Sequence, residues 1–234
     1  MTYQKIVIHL KSLADSEIAV HSQRFFKTGV GEYGHGDYFL GIRMPVIRQG
    51  VKQFQGTSLP TTIRLLHNKY HEVRIFALVL LVSKFVKADI AGQKEIYDLY
   101  LANTHYINNW DLVDCSAHQI VGGYLLKRNK DILYKLAKSD LLWERRISVI
   151  ATYHFIKRDK YNEILKLAKI LLKDKEDLMH KAVGWMLREI GNRSKETETA
   201  FLNKHYQKMP RTMLRYAIEK YTPHERHAYL KGLI

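Results

Sequence analysis

The sequence predicts an all-α protein built from repeated helix pairs, and three observations carry that reading. Apolar residues recur at spacings of three and four in segment after segment, which is the period of a helix and not the alternation of a strand. Only four prolines occur in the 234 residues, too few to interrupt so many helices. Basic residues near the start of four apolar segments return at a nearly constant interval, the mark of a structural repeat.

From the N-terminus onward the helices are announced by their starts. Asp15 with Glu17 behind it puts an acceptor and an acid where free backbone N–H groups and the positive end of the helix dipole favour both. Ser58 ahead of Pro60 reads the same way, because proline is tolerated in a first turn. Between them, KTGVGEYGHGDYFLGIR at 27–43 contains five glycines and reads as a loop, a flexible connection from the first helix pair to the rest. It lacks the G-x-x-x-x-G-K-[ST] pattern of a nucleotide-binding loop. The segments EVRIFALVLLVSKFV, QKEIYDLYLA, DILYKLAKS and YNEILKLAKILLK follow as helices, with Asp89 and Asn109 as further caps.

Aligned on their basic residues, EVRIFALVLL, ERRISVIATY, MHKAVGWMLRE and MLRYAIEKY place Arg74, Arg146, Lys181 and Arg215 at successive intervals of 72, 35 and 34 positions. The first interval is two steps, so a further repeat is expected to start near position 110. A period in the mid thirties with two helices per unit predicts an α-solenoid of HEAT-like helical repeats, curved, with a basic concave groove. One domain over 1–234 is expected, with a Gly-rich loop at 29–41. Arg74, Arg146, Lys181 and Arg215, with Arg188 further along the third segment, are the candidate DNA-binding residues of that groove. The plainer alternative is that they form salt bridges with preceding acids such as Glu72, Glu144 and Asp177.

Composition narrows the partners. Thirty-eight Lys plus Arg against 23 Asp plus Glu give a net charge of +15, which favours a polyanion. The basic residues are spread along the whole chain, unlike a membrane anchor, so nucleic acid is expected and no membrane. The single cysteine, Cys115, cannot form an internal disulfide and suits a reducing compartment. The N-terminal apolar patch is broken by His9 and Lys11, and the longest apolar run, Ile75 to Val82, is far shorter than the roughly 20 residues of a membrane span. A cytoplasmic monomer is the expectation.

The chemistry centres on NNWDLVDC at 108–115. On a helix Trp110 and Asp114 share a face, whereas Asp111 is turned about 100° from Trp110 and lies in the first turn, where it serves the helix dipole. A carboxylate facing a groove made for phosphates weakens binding unless something cationic meets it. An indole beside it attracts cations by roughly 0.5 to 2 kcal/mol, and Trp185, four residues after Lys181, supplies a second one. Either tryptophan alone could equally be a core residue. The cationic moiety of a nucleic acid is an alkylated purine, which leaves as a neutral base. Asp114 is then the candidate catalytic residue, stabilising an oxocarbenium-like transition state and positioning or deprotonating water without metal or cofactor. Two weaker constellations are His67 with His71 as metal ligands and Cys115 with His118 as a thiol and base pair.

INNWDLVDCSAH, WERRISVIATYHFIK, HKAVGWMLREIG and FLGIRMPVIR resemble the bacterial DNA alkylation repair family, the AlkD-like HEAT-repeat DNA glycosylases. The resemblance implies a helical solenoid that cups double-stranded DNA and releases cationic N3- and N7-alkylpurines by hydrolysis, with no cofactor. It implies further that Asp114 is the catalytic carboxylate, that Trp110 and Trp185 cradle the backbone at the lesion, and that Arg146 contacts phosphate or the active site. The lesion then need not be flipped into a deep pocket. One departure stands out: active members of the family that this chain resembles carry a short helix with an aromatic just before the Phe-Leu-Gly-Ile segment, pressing on the minor groove, where this chain has GVGEYGHGDY at 29–38. Tyr33 or Tyr38 is expected to stand in for that aromatic. Some relatives altered there, or elsewhere in the site, bind DNA weakly or prefer branched DNA without excision, so a non-catalytic DNA-binding paralogue is the alternative. A scaffold for an acidic protein is a more distant third reading.

Overall fold

The computed structural model describes residues 2–234, and every regular element among them is helical. The only strand-like pairing among the described residues is an isolated bridge between Tyr38 and Tyr70. The chain forms two compact units that divide after Ile120. Among the described residues no helix is long and apolar enough to cross a membrane.

The first unit contains α1 (Tyr3–Ser12), α2 (Ser16–Phe25), α3 (Met44–Gln53), α4 (Leu59–Leu66), α5 (His71–Lys87), α6 (Ile90–Ala102) and α7 (Trp110–Asp114). The caps expected from the sequence are in place. Asp15 Oδ1 accepts from the N–H groups of Glu17 and Ile18 at 3.0 Å each, and Ser58 Oγ accepts from Thr61 N at 3.4 Å. Asp89 Oδ1 accepts from Gly92 N at 2.8 Å, and Asn109 Oδ1 from Trp110 N at 2.8 Å. Helix α5 is the hub, packed by α3, α4, α6 and α7. It is apolar nearly all round, as a helix at the centre of a core must be, and Phe76, Leu78, Leu80 and Leu81 are fully enclosed. Its first turn is different in kind, because His71, Glu72 and Arg74 are buried there too, and buried charge demands partners.

Those partners come from α7 and, for the most part, from the glycine-rich segment, which is therefore no slack connector. Leu40 O accepts from Asp15 N at 2.9 Å, and Tyr38 O accepts from His71 N at 2.8 Å. Gly41 has φ +80°, and a Cβ there would fall 2.0 Å from the Asp15 carbonyl oxygen. Both the left-handed backbone and the close approach exclude any larger residue.

The second unit contains α8 (Gly123–Leu125), α9 (Asp131–Leu136), α10 (Leu142–Ala151), α11 (Tyr153–Ile156), α12 (Asn162–Leu171), α13 (Asp177–Gly191), α14 (Lys195–His205), α15 (Arg211–Ala217) and α16 (Pro223–Lys231). Here α13 is the hub, against which α10, α11, α12, α14 and α15 pack. The repeat register read from the sequence holds: Arg74, Arg146, Lys181 and Arg215 occupy the fourth or fifth position of α5, α10, α13 and α15. The repeat expected near position 110 begins at Trp110 as the short α7.

One acid in this unit is enclosed against its chemistry. Glu198 of α14 is 1% exposed; its Oε1 meets no hydrogen-bond partner among the described residues. It packs on Gly191, where an added Cβ would lie 1.8 Å from Glu198 Oε2. Burial pushes this carboxyl up to about 8, against the opposing pull of the Tyr221 hydroxyl and the charges of Lys195 and Arg188. The protonated acid therefore favours the folded state. Its stabilising contribution is complete below the ordinary glutamate value and is lost as pH rises through about 8. Urea unfolding near pH 5 and near pH 9 is expected to show Glu198→Gln removing part of the alkaline loss of stability that the wild type shows. An unchanged difference between the two pH values in the variant would contradict this assignment.

Candidate functional site

Helix α7 is a single turn, too short to persist on propensity, yet it carries both Trp110 and Asp114. What holds it in place is a stack of rings. Trp110 lies face to face with Phe26, centroids 5.2 Å apart and planes at 17°. Phe26 stacks on Phe39 at 5.1 Å and 21°, and Phe39 on the His71 imidazole at 4.5 Å and 22°. Phe25, at the end of α2, meets Trp110 edge-on at 6.0 Å and is 58% exposed. The aromatics beside Trp110 are thus Phe25 and Phe26. Tyr38 does not take that place and packs instead against Tyr70.

The second restraint is a buried charge cluster. His71 Nε2 lies 2.8 Å from Asp111 Oδ2, and its Nδ1 lies 3.0 Å from Asp37 Oδ2. Arg74 Nη2 forms an ion pair with Asp37 Oδ1 at 2.6 Å. Glu72 accepts from the backbone N–H groups of Leu40, Gly41 and Ile42 at 2.8, 2.7 and 3.2 Å. Burial alone drives a histidine toward its neutral form, but the charge and hydrogen bond of Asp111, with the hydrogen bond of Asp37, outweigh it and raise His71 to about 9. Burial also works against the Asp37 carboxylate, yet His71 and Arg74 hold it below its ordinary value. His71 is therefore an imidazolium at neutral pH, gripped by the glycine-rich loop on one side and by α7 on the other. Asp111 also accepts from Leu112 N at 2.9 Å through Oδ1, so the first-turn acid is a structural residue, as its position in the helix implies.

Asp114 is the last residue of α7 and is half-buried, as is Trp110. Behind it, Cys115 donates its thiol to Leu112 O at 3.4 Å. Burial, with the nearby charges of Asp111 and Asp114, pushes that thiol up, so Cys115 stays protonated and makes no nucleophile with His118. The histidine pair is also committed elsewhere. His67 Nε2 bonds Asn103 Oδ1 at 2.6 Å and its ring stacks on Tyr106 at 3.8 Å, while His71 sits between its two carboxylates.

The candidate phosphate contacts separate into two kinds, and this corrects the picture of a uniform exposed stripe. Arg74 is 6% exposed and spent on Asp37. Arg146 is 5% exposed and donates Nη1 to Leu178 O at 2.7 Å. Both are buried, because their helices are enclosed at that turn. Lys181 is at the surface and pairs with Asp177 at 2.8 Å, the salt bridge that the plainer reading anticipated. Arg188 pairs with Glu219, and Arg215 is exposed on α15. Trp185 is half-buried beside Tyr153, ring centres 6.0 Å apart, with its Nε1 donating to Glu189 Oε1 at 3.2 Å.

The family described as DNA alkylation repair enzyme matches residues 6–221, nearly the whole sequence, and the chain belongs to that family. Among solved structures, one described as a predicted DNA alkylation repair enzyme from Enterococcus faecalis is similar with a TM-score of 0.72 at 15% identity, covering 90% of this chain and 97% of that one. At that identity the likeness shows a common fold. No curated protein matches significantly.

The cluster makes a direct prediction. Followed by NMR, and assigned with a His71→Asn variant, the His71 imidazole is expected to titrate near 9. A midpoint at or below the ordinary 6.5 would show that the ion pairs are not formed. The sign for stability follows: the contribution of His71 is complete below about 6.5 and is lost as pH rises through about 9.

Proposed function

We propose that this member of the DNA alkylation repair enzyme family hydrolyses the N-glycosidic bond of cationic N3- and N7-alkylpurines in double-stranded DNA, without a cofactor. The observation that supports the reading best is α7 itself. One helical turn presents an indole and a carboxylate from the same face, held by a ring stack and a buried ion pair that leave the turn little freedom.

In this reading the alkylated purine carries its positive charge into the site and leaves as a neutral base when the bond from N9 to C1′ breaks. Asp114 stabilises the positive charge that develops on the sugar, and it orients the water whose oxygen bonds C1′ and whose proton passes to the carboxylate or to solvent. Trp110 lies against the lesion nucleotide, and the exposed Phe25 beside it extends the aromatic surface. Trp185 serves as a second aromatic contact, and Lys181, Arg188 and Arg215 as phosphate contacts of the second unit. Arg74 acts through the fold. The other reading, a non-catalytic DNA-binding paralogue that prefers branched DNA, draws on the glycine-rich segment that replaces an aromatic-bearing helix; Phe25 and Phe26 supply aromatic rings near Trp110 all the same.

Incubating methylated duplex DNA with the protein and quantifying released N3- and N7-methylpurines decides between them. Asp114→Asn is expected to lower the rate by about 10²- to 10³-fold while leaving duplex affinity intact. Wild type that releases no more than buffer alone would exclude excision.

The cationic residues make a separate prediction. Arg215→Ala or Lys181→Ala should weaken binding to all duplex sequences alike and reduce the salt slope by about 1. Arg74→Ala should instead destabilise the fold by about 3 to 5 kcal/mol, because it leaves buried Asp37 short of a partner. Denaturant midpoints and salt titrations measured side by side check both, and an Arg74→Ala protein of wild-type stability with weakened DNA binding would reverse the assignment.

A further inference from the structure

A second cluster of rings and positive charge lies on the first unit, made by side chains that neither α7 nor the His71 cluster uses. Tyr38 follows Asp37 in the chain, but its ring is turned outward and the residue is 53% exposed. It meets the ring of Tyr70 edge-on at 6.4 Å and 72°. Lys69 Nζ stands 5.2 Å from the centre of the Tyr38 ring and 5.3 Å from that of Tyr70. Lys11, arriving from α1, places its Nζ 5.3 Å from the Tyr70 ring. Both lysines are exposed.

The backbone under these rings is fixed. His71 N donates to Tyr38 O at 2.8 Å, Tyr70 N donates to Asn68 Oδ1 at 2.9 Å, and Asp37 on one side and Glu72 on the other are tied into the buried cluster. An exposed aromatic on an immobile backbone loses little freedom when something flat covers it. The acids nearest in sequence, Asp37 and Glu72, are buried and committed to His71, Arg74 and three backbone N–H groups.

We propose that Tyr38 and Tyr70, with Lys11 and Lys69, form a second nucleic-acid contact, on which an unpaired nucleobase stacks while the two ammonium groups take the neighbouring phosphates. A nucleotide supplies both halves of the match, a flat π face for the rings and an anion for the lysines. An acidic peptide would satisfy the lysines alone and leave the rings wet. A lysine resting on an exposed ring is weakly held, so it yields the ring face to a base and moves to the phosphate. A base inside an intact duplex offers no free face, and this selects an unpaired nucleotide. The contact is independent of excision at Asp114, since it is read on undamaged DNA by binding alone.

Fluorescence anisotropy with three labelled probes tests it: an oligothymidylate, an abasic deoxyribose-phosphate chain of the same length, and a blunt duplex. Tyr38→Ala is expected to lower oligothymidylate affinity by about 5- to 150-fold, the worth of one base stacked on an aromatic, with the abasic chain and the duplex held within about twofold. Tyr38→Trp, which restores a ring on the same backbone, should bind as wild type does and so separates stacking from damage to the loop. Lys11→Ala combined with Lys69→Ala should reduce the salt slope by about 1.4 for both single-stranded probes. The same results are expected in an Asp114→Asn background, so failure of the excision reading leaves this one standing. An equal loss on the abasic chain, or an unchanged affinity for oligothymidylate, would overturn the proposal.

Discussion

The first unit depends on one buried interaction, the imidazolium of His71 between Asp37 and Asp111. Taking that many charges out of water is costly, and they tolerate it only because each is answered within a few ångströms. His71 answers both carboxylates, and Arg74 answers Asp37 a second time. The consequence is mechanical. Asp37 belongs to the glycine-rich loop, His71 and Arg74 to the first turn of α5, and Asp111 to α7. Separating any of these three pieces would leave an uncompensated charge inside the protein, so they behave as one block. Phe39 stacks on the same imidazolium, Phe26 meets it at a tilt, and the two carry the restraint on to Trp110.

The second unit is organised differently. Its hub α13 has an apolar buried face made of Met179, Ala182, Val183, Met186, Leu187 and Ile190, and most of its ion pairs, such as Arg188 with Glu219 and Lys181 with Asp177, lie toward the surface. Pairs of that kind contribute little to stability. Their cations are therefore available to exchange an intramolecular carboxylate for a phosphate at small cost, which the enclosed Arg74 cannot do. The same sequence register thus serves two purposes along the chain. Where the turn is buried, the basic residue welds the fold; where it is open, it supplies the positive surface.

This is also why some features were legible in the sequence and others were not. Helix identity, the caps at Asp15, Ser58, Asp89 and Asn109, and the recurring position of the basic residues are local properties, fixed by spacing along the chain. Burial of Arg74 is not local. Its partner Asp37 lies 37 residues earlier, in a segment whose glycines suggest slack, and no pattern in that segment says that Glu72 will fasten three successive N–H groups there. The role of Phe25 and Phe26 is hidden from the sequence for a similar reason. A pair of aromatics at the end of a short helix reads as a terminus, and their contact with Trp110 joins residues more than eighty positions apart. A usable signal did exist in His71, Glu72 and Arg74, three polar groups opening the most apolar helix of the chain, since charge placed there requires partners from elsewhere.

The two acids of α7 can now be given separate work on physical grounds. Asp111 has both oxygens engaged, one with Leu112 N and one with His71, and its negative charge is needed to keep His71 protonated. A carboxylate so committed cannot also meet a substrate cation without releasing the helix that carries it. Asp114 stands one turn after Trp110 and on its face. The ring stack fixes Trp110 from behind through Phe26, and a rotation of about 100° per residue then sets where Asp114 can reach. Position in the helix thus divides the labour: the acid one step after the indole anchors the turn, and the acid four steps after it stands beside the same ring.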